Sequence, residues 1–96
     1  MAVTFHVTVL TPERAVFEGE AIHLLAPGSE GYLGVLAHHA PLITGLKPGR
    51  LAVRVPDGSE RVYRVSGGFL EVSGNSARVL ADEVDVVEGV RDERPL

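Results

Sequence analysis

The stretch Gly28-Ser29-Glu30-Gly31-Tyr32-Leu33-Gly34-Val35-Leu36-Ala37-His38-His39-Ala40-Pro41-Leu42 brings together three glycines, a carboxylate, two adjacent imidazoles and a proline. Glycines three apart are one half of a phosphate cradle. The other half is missing. A P-loop needs Lys-Ser/Thr after its last glycine and a helix opening there, and Gly34 is followed by Val35-Leu36-Ala37. A dinucleotide fingerprint needs a βαβ unit, which the pattern does not supply. Glycine's plainer use is to let a loop adopt positive φ.

The four histidines are His6, His23, His38 and His39. Neighbours on an extended chain point to opposite sides, so His38 and His39 cannot share one ion there. No HxH or HExxH spacing occurs, and no thiolate is available. No metal and no cofactor is expected. Ser66-Gly67-Gly68 lacks the glycine before the serine and the following helix that a nucleophile elbow requires. A glycine pair between strands marks a bulge or a close backbone approach. Glu71 and Asp82 are carboxylates without a fixed separation, so they define no acid–base pair. No catalytic residue is assigned.

Two readings remain for Tyr32, Leu33, Val35 and Leu36. They form an apolar docking tip on a glycine-shaped loop, or they fold back into the core. His38 and His39 cap that loop. Pro41 holds Ala40 extended and sets the exit direction.

The elements that position these residues come from the rest of the chain. Its 96 residues suffice for one small domain. A chain this short buries only about 60–65% of its unfolded surface, so its stability margin is modest. The net charge is −4 and the pI about 5.5, with nine basic residues. A mildly acidic chain lacks the basic stripe that nucleic acid requires. The absence of cysteine excludes a disulfide framework and fits a reducing compartment. No run approaches the ~20 apolar residues that span a bilayer, so no direct membrane insertion is expected. The N-terminus has no basic n-region followed by an apolar h-region, so no signal peptide is read.

Val3, Phe5, Val7 and Val9 alternate with Thr4, His6 and Thr8, the period of a strand with one buried face. Thr11-Pro12-Glu13 ends it. Ala15 to Gly19 reads as a short strand or bend, and Ala21 to Ala26 as an apolar strand closed by Pro27-Gly28-Ser29. Pro56-Asp57-Gly58-Ser59 turns Leu51–Val55 into Glu60–Val65. Ser73-Gly74-Asn75-Ser76 turns Phe69–Val72 into Ala77–Ala81. Val84 to Val87 is a last strand. No helical period persists beyond two turns. The expectation is an all-β domain over 1–88, a flattened sandwich or barrel of about ten short strands with no substantial helix. Residues 89–96 form a short charged tail expected to fray.

The stretch from Gly28 to Gly49 resembles the G-x-x-G-x-x-G-[IV]-x-x-x-H-x-P signature, with its downstream P-G, of the epsilon subunit of F-type ATP synthases. Matching positions are Gly28, Gly31, Leu33, Gly34, Val35, His39, Ala40, Pro41, Thr44, Leu46, Pro48 and Gly49. The opening Phe5 to Glu13, the block Val65-Ser66-Gly67-Gly68-Phe69-Leu70-Glu71-Val72 and the block Val79-Leu80-Ala81-Asp82 resemble family segments in the same order. The resemblance runs from about Thr4 to Glu83.

It implies a ten-stranded β-sandwich and a noncatalytic central-stalk subunit that couples the gamma subunit to the membrane c-ring in proton-driven ATP synthesis. It implies a place at the cytoplasmic face of the cell membrane, within a membrane complex. The gamma subunit would meet Thr11, His39 and Thr44. The c-ring would meet the loop Ser29, Glu30, Gly31, Tyr32 and Leu33, where many relatives carry an acid in place of Tyr32. Gly28, Gly34 and Pro41 would shape that loop. The family's C-terminal helical hairpin would begin near Leu96, so its inhibitory and nucleotide-sensing roles are not carried over. The alternative is an unrelated small β-sandwich that binds other proteins.

Overall fold

A computed structural model describes residues 3–87. Ten strands follow one another without a helix among the described residues: β1 (Phe5–Leu10), β2 (Ala15–Ala21), β3 (His23–Gly28), β4 (Gly31–Val35), β5 (Leu42–Leu46), β6 (Gly49–Arg54), β7 (Glu60–Val65), β8 (Gly68–Ser73), β9 (Ser76–Ala81) and β10 (Val84–Val86). The expected tail at 89–96, and the domain boundary at 88, lie outside the described residues.

All ten strands belong to one sheet, in the order β10-β7-β6-β3-β5-β8-β9-β1-β2, with β4 paired to β3. Every ladder is antiparallel except β1–β9. The sheet folds on itself where β3 meets β5. That contact is a single rung, Gly28 opposite Leu46. Two loop bonds flank it: Ser29 N–H donates to Gly45 O at 2.9 Å, and Lys47 N–H donates to Pro27 O at 2.8 Å. The two halves then lie face to face. Phe5, Val7, Val9, Leu70, Val72 and Val79 from one half share a core with Leu24, Val35, Leu51, Val53, Tyr63 and Val65 from the other.

The period-2 pattern places these side chains. On β1, Phe5, Val7 and Val9 are buried while their neighbours are half-exposed. The two turns read from the sequence are present. Gly58 has φ +94°. Gly74 and Asn75 both have positive φ, near +58° and +59°, as a two-residue hairpin turn requires. The Ser66-Gly67-Gly68 segment is a close backbone approach. Gly67 and Gly68 have φ of 138° and 140°, and a Cβ on Gly68 would collide with the Leu80 carbonyl.

The glycine-rich stretch departs from the expected loop. Gly31–Val35 is a strand, paired with β3 from Gly28↔Gly31 to Leu24↔Val35. Only Ser29 and Glu30 form the turn. The hairpin is possible because Gly28 lacks a Cβ. That atom would lie 2.5 Å from Leu33 Cδ2 and 2.9 Å from the Gly31 carbonyl. Gly34 likewise makes room for His23, whose Nε2 would stand 3.0 Å from an added Cβ. Both glycines let strands pack closely. For Gly28 and Gly34 the expected loop-shaping role is therefore one of strand packing. Pro41 sits just before β5, where its fixed φ directs entry into the ladder.

The edge strand β2 is tied to β1 by polar side chains. Thr4 Oγ1 donates to Glu20 Oε1 at 2.8 Å, and His6 stands 3.4 Å from both Glu18 and Glu20. The Thr4 hydroxyl, followed by His6, lowers the Glu20 carboxyl below its ordinary 4.5. A depressed carboxyl stabilises the fold above its unfolded value, and that contribution is lost as pH falls through the folded value. Hydrogen exchange along β2 is therefore expected to quicken, relative to β8, as pH falls below about 4.5. Glu20→Gln should remove that difference. Gly68→Ala should cost about 3 kcal/mol in a urea melt, and Gly58→Ala, strained with open space around it, about 1 kcal/mol.

Candidate docking surface

The structure separates the residues that the sequence grouped. The Ser29–Glu30 turn lies at the end of the sandwich where β1, β5 and β9 finish. The His38–His39 turn lies at the other end, one strand length away. His38 N–H donates to Asn75 Oδ1 at 2.7 Å, and Asn75 Nδ2 donates to Thr4 O at 3.0 Å. Asn75 thus bridges three chain segments at the start of β9. His38 itself has φ 63°, and His39 Nδ1 lies 2.7 Å from the Ala40 carbonyl.

Thr11 follows β1 at the far end from His39. Its hydroxyl accepts from the N–H groups of Glu13 and Arg14, at 3.3 Å each, and shapes the turn into β2. Thr44 lies midway along β5. It shares the inward parity of Leu42 and Leu46, and its Oγ1 is 3.3 Å from Ser29 Oγ. A residue expected at the gamma subunit and one expected at the c-ring therefore touch. The side chain that β5 presents to solvent beside it is Ile43, 71% exposed.

Of the four apolar residues with two possible fates, two fold inward. Val35 is fully buried, and Leu33 packs against the core. Tyr32 and Leu36 stay exposed. Tyr32 does not project from the tip. Its hydroxyl accepts the Arg50 N–H at 3.0 Å, and the ring lies beside Gly49, where an added Cβ would meet the hydroxyl at 2.8 Å. Glu30 and Gly31 remain exposed at the turn.

Three apolar side chains went unassigned in the sequence reading. Gly45, Phe69, Leu80 and Leu10 stand side by side across β5, β8, β9 and β1. The next outward row is Ile43, Glu71, Arg78 and Thr8. Phe69 is 58% exposed and Leu80 41%. A hollow of about 340 Å³ lies against this row, lined by Leu10, Thr11, Pro12, Phe69 and Leu80. The signal was available: strand alternation around buried Leu70 and Val79 points Phe69 and Leu80 outward. Large apolar residues on a solvent face mark a surface that another protein covers. Glu71 and Arg78, opposite each other in the second row, offer a polar rim.

Among the described residues, no group of three or more histidine, aspartate or glutamate side chains is placed to hold a metal ion. What the geometry defines is a β-sandwich with an apolar outer face flanked by two structured turns. A model of the beta-sandwich domain of the ATP synthase delta/epsilon chain matches residues 4–86, and the chain belongs to that family. The ATP synthase epsilon chain of Dichelobacter nodosus is 46% identical over 83 residues, covering 86% of this chain and 58% of that protein. The epsilon chain of Nitrosococcus oceani is 45% identical over 82 residues, covering 85% and 59%. This chain thus spans under three fifths of the curated relatives it matches. Among solved structures, a chain of the Euglena gracilis mitochondrial ATP synthase OSCP/F1/c-ring assembly superposes with a TM-score of 0.85 at 24% identity, covering 94% of this chain and 57% of that one. A chain of the Tetrahymena thermophila mitochondrial ATP synthase central stalk/c-ring gives 0.71 at 20% identity, covering 88% and 67%. At these identities the likeness is one of fold.

Asn75→Ala should lower stability by about 2 kcal/mol, through two lost side-chain bonds and a positive φ. Asn75→Gly relieves only the φ and should cost less in the same urea melt. Both variants should shift the His38 amide resonance.

Proposed function

We propose that this chain is a noncatalytic rotor subunit of an F-type ATP synthase, holding the gamma subunit to the c-ring so that both turn together during proton-driven ATP synthesis. The observation that carries the reading is the epsilon-type family match over residues 4–86, joined to an exposed apolar face on the same sandwich. The relatives are named ATP synthase epsilon chains, and the fold neighbours come from a central stalk/c-ring assembly and an F1/c-ring assembly. Coupling two turning parts needs stiffness and contact area, and a sheet folded on itself provides both.

On this reading the gamma subunit covers the face of β5, β8, β9 and β1. Ile43, Phe69 and Leu80 are the apolar anchors. Thr11 borders one end of the face, His39 marks the other, and Thr44 braces β5 from within. The turn Ser29–Glu30, with Gly31 beside it, faces the c-ring. Tyr32 and Leu33 support that turn from strand β4 as Tyr32 holds Arg50 and Leu33 packs inward. The chain then works at the cytoplasmic face of the membrane, as a peripheral part of a membrane complex. The unrelated-module alternative loses its ground once the chain belongs to the family.

Purified chain mixed with purified gamma subunit should co-elute as an equimolar complex. Phe69→Glu or Ile43→Arg should weaken that complex at least about 100-fold, since each buries an unpaired charge in an apolar contact. Circular dichroism should show both variants folded, because both side chains are outside the core. Folded chain that fails to bind gamma at about 50 µM, a concentration that populates even a weak complex, would contradict the reading.

A further inference from the structure

The opposite face of the sandwich carries a second feature, which the rotor reading does not use. Leu51 and Val53 of β6, and Tyr63 and Val65 of β7, point into the core. Arg50, Ala52, Val62 and Arg64 therefore point outward. Arg50 stands directly opposite Arg64, and Ala52 opposite Val62. Two cations directly opposed across a ladder repel. Among the described residues neither guanidinium makes an ion pair or a hydrogen bond. Asp85 of β10 is the cross-strand neighbour of Arg64 but is not paired with it. The two guanidiniums stand unpaired side by side in a chain with a net charge of −4.

The two arginines flank a hollow of about 500 Å³, lined also by Tyr32, Gly49, Val62, Tyr63 and Val87. Its wall is fixed, because the Tyr32 hydroxyl is held by the Arg50 N–H. Its floor is closed, because Val62, which lines it, is only 4% exposed. A planar guanidinium that lacks a partner is suited to a carboxylate, which it can grip with two parallel hydrogen bonds.

We propose that this groove docks an extended acidic segment of a partner protein. Two carboxylates, two residues apart, engage Arg50 and Arg64, and the residue between them points away from the groove. The spacing fits. Residues two apart on an extended chain point the same way about 6.5–7 Å apart. Directly opposed strand residues have Cβ atoms about 5 Å apart, and two long arginines span the difference. The proposal is independent of the gamma contact, since the groove and the Ile43–Phe69–Leu80 face lie on opposite sides of the sandwich.

The probe is a fluorescein-labelled octapeptide with glutamate–serine–glutamate at its centre, read by fluorescence anisotropy against the full chain. Saturable binding is expected, weakening as salt rises from about 50 to about 200 mM. Arg50→Gln and Arg64→Gln should each weaken it roughly ten-fold. Arg64→Lys, which keeps the charge and loses the fork, should fall between. Arg78→Gln, on the other face, should change nothing. The same peptide with glutamines for glutamates should not bind. Absence of saturable binding up to about 1 mM, a limit that weak peptide complexes reach, would overturn the proposal. So would equal binding by the arginine variants with native circular dichroism. Inorganic phosphate that displaces the peptide at equal concentration would also overturn it, because the groove would then be a general oxyanion site.

Discussion

The architecture depends on a corner. A single sheet becomes a two-layered sandwich at the rung between Gly28 and Leu46, clasped by Ser29 N–H to Gly45 O and by Lys47 N–H to Pro27 O. Those two backbone hydrogen bonds make up the rung and join β3 of one layer to β5 of the other. Leu46 closes the core at that point, and Gly28 leaves the room that Leu33 needs. The positions of β4, β5 and β6 follow from this corner. So do both outer faces, because strand alternation leaves no freedom once a core face is chosen.

On the rotor reading, that constraint supplies the stiffness a small domain needs to transmit force. The turns at each end are fixed by side chains: Thr11 and Ser66 at one, Asn75 at the other. The surface residues that could touch partners therefore sit on strands, or on turns whose backbone is already hydrogen-bonded. Little ordering remains to be done on binding, which leaves more of the contact energy available for affinity.

Much of the fold was legible in the residues. The alternation from Phe5 to Val9, the Asp57-Gly58 turn and the Gly74-Asn75 turn each act locally, so the sequence exposes them. The glycine stretch was misjudged as one loop because glycines at 28, 31 and 34 look like turn formers in isolation. Their need for space becomes visible only when Leu33 and His23 are packed against them. The proposed docking residues have two sources. Ser29, Glu30, Thr11 and His39 come from the resemblance, whereas Phe69, Leu80 and Ile43 required the cross-strand register that aligns them. Tyr32 was left between a docking tip and the core, because its hydroxyl partner is a backbone N–H eighteen positions away.

The central claim is that this chain turns with the shaft and the ring. It is tested most directly by watching a probe on the chain inside an assembled, ring-coupled ATP synthase. The chain has no cysteine, so Asp57→Cys on an exposed turn gives one attachment point for a gold particle. With the catalytic head fixed to the surface, the account predicts that ATP makes the particle rotate in step with a probe on the c-ring. A particle that stays still while the ring turns would contradict it.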